Sequence, residues 1–280
     1  MEQAENARTR RDVCAALVLA LGALCLVAWG AVVHGTFQDD DLVGPLGLEG
    51  AWRIRPFLRL TFWFQEAVHG HRADLLLAGN LMLLGLTAIG VFALALRRLG
   101  ATAAFLAAVA FILQPAHTEA VAYVSGRSMG LMAALSVWSV WAHLRAVRAD
   151  DPRARTGWTA LSASLLVLAA LSKEVALVVP LLAWSASRWD APERPARVGP
   201  LLAAAAVAVA LLLGLPRYRV LAGWSLAQHA PLSALAMYLS ALPVQLSLWV
   251  RPEALSIVHA PGDGWVSPGL GALLLVAAVA

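Results

Sequence analysis

Charge is what this sequence has least of. Only 14% of its 280 residues are Asp, Glu, Lys or Arg, against 60% hydrophobic residues, and the mean hydropathy is +0.73. A water-soluble domain of this size needs a polar shell that this composition cannot supply, so a soluble enzyme or binding domain is excluded. Alternating apolar and polar residues are lacking too. The apolar runs are continuous, which excludes a β-barrel. There are two cysteines, Cys14 and Cys25, both in the first apolar run. On one helix they stand about 16 Å apart along the axis, too far to bridge. They read as small apolar packing residues. No Gly-rich phosphate loop and no repeat of solenoid period occurs. His34, His69 and His71 have no metal-ligand spacing. The net charge of +4 is spread over short loops, so it reads as a topology signal and not as a nucleic-acid surface.

What is present is a series of apolar runs near bilayer-spanning length. They are expected at 13–33, 75–96, 101–114, 128–144, 159–171, 175–187, 199–215 and 233–250. A ninth begins near 267 and is cut short, which predicts a piece of a longer protein. The fold class is an all-α polytopic membrane protein. It reads as one transmembrane domain over 1–280, of about eight spans plus the incomplete ninth. Arg8, Arg10 and Arg11 precede the run from Val13 to Val33. That run is about twice the length of a signal-peptide core and lacks a small-residue cleavage site, so a retained signal anchor is expected. Pro115 and Pro180 mark distortion of short spans, and 159–187 reads as a helical hairpin around Lys173-Glu174.

Four short loops hold 12 of the 21 basic residues: the N-terminus, Arg97-Arg98, Arg145 to Arg155, and Arg188 to Arg197. Placing them all in the cytoplasm satisfies the positive-inside rule. Residues 34–74, 115–127, 172–174 and 216–232 are then expected outside, and every unusual polar cluster falls among them. The long first outer loop, 34–74, interleaves Phe37, Trp52, Phe57, Phe62, Trp63 and Phe64 with Arg53, Arg55 and Arg59, a composition suited to interfacial helices.

Five polar features could carry chemistry. Asp39-Asp40-Asp41 follows the first span. Spacing alone favours a hydrophilic stop or helix cap. Adjacent carboxylates also raise at least one pKa, and a carboxylate so tuned at a membrane boundary can act as a general base. Arg53, Arg55-Pro56 and Arg59 either anchor headgroups by snorkelling or recognise a lipid-linked phosphate. His117, Glu119 and Arg127 lie within eleven positions between two spans, beyond Gln114-Pro115. Ser172-Lys173-Glu174 is either a turn with an internally neutralised pair or a cation placed near an anionic substrate. Asn80 inside the second span reads as an interhelical hydrogen bond.

The order of these segments resembles a known family. Phe37-Gln38-Asp39-Asp40, Arg55-Pro56 and Asn80 are followed by Pro115-Ala116-His117-Thr118-Glu119-Ala120-Val121-Ala122 and Ser125-Gly126-Arg127. Then come Leu171-Ser172-Lys173-Glu174, Leu242-Pro243 and Pro252-Glu253-Ala254-Leu255-Ser256. Over roughly residues 20 to 260 the set is similar to the transmembrane-and-tetratricopeptide-repeat O-mannosyltransferases and their bacterial relatives. These belong to the GT-C type of multi-span glycosyltransferases that use polyprenyl-phosphate sugars.

The resemblance implies a GT-C-like helical bundle. It implies inverting transfer of a hexose, typically mannose, from a polyprenyl phosphate to an acceptor hydroxyl such as a protein Ser or Thr. By position, Asp39 or Asp40 would be the base or the acceptor-positioning group. Arg55, Arg127 and Lys173 would stabilise the leaving phosphate. His117, Glu119 and Glu174 would shape or polarise the site. The expected location is a bacterial inner membrane, with the site on the periplasmic face and the bilayer itself as a partner. No cofactor and no metal ligand is assigned. Some relatives hold a divalent cation in the acidic loop, but three adjacent carboxylates are not a ligand set by themselves. The chain departs from the family pattern at Gln114, Met129, Leu77 and Leu84, where polar residues are usual, and it lacks the C-terminal repeats. The alternative implied by these losses is a degenerate or non-enzymatic relative that binds or transports a lipid-linked phosphate.

Overall fold

In the computed structural model, residues 2–36, 54–228, 230, 232–233, 236 and 239–240 are described. Asp39, Asp40, Asp41 and Arg53 lie outside them, as does 252–256. The described residues are helical, with no strand among them. The helices are α1 (Glu2–Trp29), α2 (Pro56–His69), α3 (Ala73–Ala95), α4 (Ala101–Ile112), α5 (Thr118–Ala122), α6 (Arg127–Arg148), α7 (Pro152–Ser172), α8 (Val179–Asp190), α9 (Gly199–Gly214) and α10 (Pro216–Gln228). Short 3₁₀ turns cover Gly30–His34, Pro115–His117 and Glu174–Val178.

Four helices are long and apolar enough to cross a membrane, or up to six if each bent pair, α4 with Pro115–Ala122 and α9 with α10, counts as one. The chain is an all-α polytopic membrane protein. Chain contacts divide it into two compact units, Met1–Leu113 with His117–Leu211, and Gln114–Ala116 with Leu212–Ala280. In the second, α10 occupies a stretch expected as outer loop and carries no buried residue.

In the first unit, three apolar clusters set the arrangement. Leu21 and Cys25 of α1 meet Leu81, Leu84 and Ala88 of α3, and Ala104 and Ala108 of α4. Leu58 and Phe62 of α2 meet Leu76, Leu77 and Leu131. The third cluster joins α6, α7, α8 and the first turns of α9 through Leu144, Leu166, Val179, Ala183 and Leu201. Small residues allow close approach. A Cβ added at Gly90 would meet the Val137 side chain at 2.5 Å. Ser139 Oγ donates to the Ser162 carbonyl, and Ser162 Oγ donates to the Ser139 carbonyl, each at 2.8 Å. Such reciprocal bonds hold α6 to α7 where burial of apolar surface drives little, because lipid is as apolar as the helices.

The α6–α7 hairpin starts its second arm with a recognisable signal. Asp151 accepts the Ala154 N–H at 2.9 Å and Pro152 takes the first helical turn. The span therefore begins at Pro152 and not at 159, which lengthens it to 21 residues. The next segment opens as a 3₁₀ turn before α8, so the 159–187 hairpin is less regular than two α-helices.

Antiparallel order brings chosen loops to each end. At one end, Arg97 donates to the buried Asp190 carboxylate through Nε at 3.1 Å and Nη2 at 2.8 Å, and Arg148 Nε lies 2.9 Å away. Arg194 pairs with Asp150 at 3.1 Å. The opposite end holds the start of α3, the start of α6 and the end of α7, together with α2. That is the Lys173 end.

Candidate functional site

Two local breaks present charge at the Lys173 end. Arg55 occupies the N-cap position of α2, whose first turn is pre-set by Pro56, and its side chain makes no capping bond. Lys173 is extended (φ −158°, ψ 129°), which stops α7 and turns the chain into Glu174. Arg55 Nη2 lies 3.8 Å from Glu174 Oε1, with the side chains 30% and 40% exposed. Such a long, half-exposed pair contributes little, about 0–1 kcal/mol, and leaves both groups free to exchange partners. The Arg55 Nε is buried and makes no hydrogen bond to any described residue.

Burial first, and the Arg55 cation second, hold the Lys173 ammonium below the usual lysine range, while Glu174 and Glu119 pull the other way. Arg55, Glu119, Lys173 and Glu174 thus share one electrostatic neighbourhood drawn from three separate segments. The Lys173–Glu174 pair is therefore not an isolated neutral turn.

Arg127 is placed differently. Its side chain is buried at the first turn of α6. Nε donates to Asn80 Oδ1 at 3.0 Å and Nη2 donates to the Leu76 carbonyl at 2.5 Å. The guanidinium carbon stands 4.3 Å from the Phe62 ring centroid. Asn80 Nδ2 in turn donates to the Tyr123 carbonyl at 2.7 Å. The bond from Arg127 is the interhelical contact that the sequence position of Asn80 predicts, and it orients the arginine. Two faces of Arg127 are thus committed to the scaffold, so its role toward a ligand is positional before it is direct.

His117 also turns inward. Nε2 donates to the Phe111 carbonyl at 2.7 Å, and the two rings lie 4.4 Å apart. The imidazole completes the end of α4, where carbonyls lack helical partners. Glu119, two residues on, is exposed. The tight step between them and α6 depends on Gly126, whose added Cβ would strike the Glu119 carbonyl and approach Ala120 Cα at 2.9 Å. The Gly in Ser125-Gly126-Arg127 is thus a steric requirement of bringing α5 against the start of α6.

The arginines of the first loop do not behave alike. Arg59 is 5% exposed and pairs with Glu66 at 3.6 Å, while Trp63, Phe64 and Val68 of the same helix are exposed. Arg59 therefore faces inward and the aromatics outward, which reverses the snorkelling expectation for this residue. His71 Nδ1 also lies 3.8 Å from Glu66. Glu66 was not expected at the site. Its signal was the seven-residue spacing from Arg59, two helical turns on one face.

Beside Arg127, an apolar cavity of about 660 Å³ opens between α2, α3 and α6, lined by Trp63, Phe64, Gln65, Met82, Leu83 and Arg127 among others. The Gln65 side-chain oxygen there is buried without a hydrogen bond to any described residue. Among the described residues no group of three or more His, Cys, Asp or Glu could hold a metal ion. The positions where the family pattern is polar divide: Leu77, Leu84 and Gln114 are buried, and Met129 is half-buried. Comparison with protein-family models, curated proteins and solved structures finds no match.

Proposed function

We propose that the chain is a membrane-embedded glycosyltransferase of GT-C type that moves a hexose, typically mannose, from a polyprenyl phosphate to an acceptor hydroxyl. The observation that carries this reading is the convergence of Arg55, Glu119, Lys173 and Glu174 at one end of the spans. They stand at the end where the first span stops at His34 and the first loop begins. By the charge bias of the loops this is the extracytoplasmic end, opposite the arginine-rich end around Asp190.

In the proposed reaction the acceptor oxygen attacks the anomeric carbon and forms the new C–O bond. The bond from that carbon to the phosphate oxygen breaks, and its electron pair leaves with the phosphate. The acceptor proton passes to Asp39 or Asp40. Arg55 and Lys173 oppose the charge that grows on the departing phosphate, an electrostatic term that is large in a site shielded from water. Arg127 and Asn80 hold α2, α3 and α6 in register behind them. The cavity beside Arg127 suits a hydrocarbon chain entering from the bilayer.

The competing reading is a lipid-phosphate binder without turnover. It is favoured by the burial of Leu77 and Leu84, which fill core where the family pattern is polar. Membranes carrying the chain, supplied with polyprenyl-phosphate mannose, separate the two. Transfer by wild type, with loss of at least tenfold in Asp39→Asn or Asp40→Asn and in Lys173→Met, supports the enzyme. Donor binding that needs Lys173, with no transfer to any acceptor, supports the binder. Equal transfer by all variants refutes the assigned residues.

A further inference from the structure

The end of the molecule away from the proposed active site carries a second pocket. It encloses about 510 Å³ and is lined by Arg97, Arg145, Arg148, Asp150, Asp151 and Trp158, with two alanines. Its volume falls in the range of small-molecule sites.

The charges around it are not evenly paired. Asp190 is engaged by Arg97 and Arg148. Asp150 is engaged by Arg194 at 3.1 Å. Asp151 spends its carboxylate on capping α7 through the Ala154 N–H. None of these carboxylates pairs with Arg145. Arg145 is the cation left over. It has no ion pair or hydrogen bond among the described residues, and its guanidinium lies over Trp158 at 5.2 Å and over Trp141 at 5.6 Å. The two indoles meet edge-on, with centroids 5.4 Å apart. The two indoles hold the cation while its N–H groups make no hydrogen bond among the described residues, and a guanidinium fork matches two oxygens of a phosphate.

Position argues for the source of that phosphate. The pocket sits where α6 ends and α7 begins, both long and apolar enough to span a bilayer. Tryptophan at such a level is the usual residue of the headgroup layer. Basic pockets between spans at this depth suit anionic headgroups. We infer that this pocket binds the phosphate of an anionic membrane lipid, in the leaflet facing the arginine-rich end, with Arg145 as the recognising residue. This site is separate from the proposed donor site and does not depend on the transferase reading.

Native mass spectrometry of the full chain, in neutral micelles doped with equal phosphatidylglycerol and phosphatidylcholine, tests it. Wild type should retain phosphatidylglycerol in preference by about tenfold, and Arg145→Gln should lose most of that preference, as expected for one charge-assisted bidentate contact. Arg145→Lys keeps the charge without the fork and should lose roughly threefold, which reads the same contact if the glutamine variant does not fold. Arg188→Gln, an exposed arginine outside the pocket, should change nothing. Equal loss in Arg188→Gln would show diffuse surface charge and overturn the assignment. Arg145-dependent binding of inorganic phosphate, with no preference between the two lipids, would also overturn it in favour of a soluble anion.

Discussion

Replacing Asn80 with Leu removes the bridge between three segments while keeping the branched shape and heavy-atom count of the side chain. Asn80 is 1% exposed and Arg127 is 2% exposed, so neither group can turn to water when the partner is lost. Two bonds disappear: Nδ2 to the Tyr123 carbonyl at 2.7 Å, and Arg127 Nε to Oδ1 at 3.0 Å. The first is a neutral bond from a span to the carbonyl that follows α5, and neutral interhelical bonds in membrane proteins, the nearest measured class, contribute about 0.6–1.7 kcal/mol. The second serves a buried cation, for which about 1.5–3 kcal/mol is usual. Leu76 and Phe62 still hold the guanidinium, so the sum is not a collapse of the site. The expected cost is about 2–4 kcal/mol. Arg127→Leu alone should also destabilise, because Asn80 Oδ1 and the Leu76 carbonyl lose their donor. In the double variant no orphaned guanidinium remains, so the two costs should fall short of additivity by about 1–2 kcal/mol. Equilibrium unfolding in mixed micelles, followed by circular dichroism, measures all three. A single-variant cost under about 0.5 kcal/mol, or additivity within that margin, would refute the argument that Asn80 supports a buried charge.

Lys173 offers a pH test, since it is the only lysine in the chain. Its native pKa is depressed, first by burial and second by Arg55, so the unfolded chain binds more protons between that value and the ordinary lysine pKa. Stability should therefore rise with pH across that window, while below it both states are fully protonated and the penalty is fully present. Amine labelling, read on the Lys173 peptide, should reach half-extent below the pH of a free lysine. Arg55→Gln should move the midpoint upward; an unmoved midpoint would separate the two residues. Gly126→Ala should cost about 1–3 kcal/mol in the same unfolding assay, because its Cβ meets backbone that cannot rotate away. A neutral outcome would show that α5 does not sit against the start of α6.

Some elements were readable along the chain because their cause is local. The long helices α1, α3 and α6 follow from apolar run length, and Asn80 from the cost of an unpaired amide among apolar residues. Other elements are obscured along the chain where local signals compete. The run at 159–171 reads as short because Arg153, Arg155 and Thr156 lower its hydropathy, yet the Asp151 cap and Pro152 start the helix earlier. Arg59 reads as a headgroup anchor or a ligand for a lipid-linked phosphate, beside three aromatics. Only the rotation of α2 against Leu76, Leu77 and Leu131 shows that it points inward to Glu66.

Composition and order alone determined that this is a helical membrane protein with basic loops segregated from polar motifs, since run length and loop charge are properties of one strand of text. Which motifs meet was decided by tertiary structure. Arg55 and Glu174 are 119 positions apart, and no local rule brings them within 3.8 Å; antiparallel packing of α7 against its neighbours does. Helix packing also set Arg127 and His117 against carbonyls and left Arg145 beside two indoles with no ion pair among the described residues. The fate of a charged side chain depends on which partner the fold sets beside it, and residue type alone does not specify that partner.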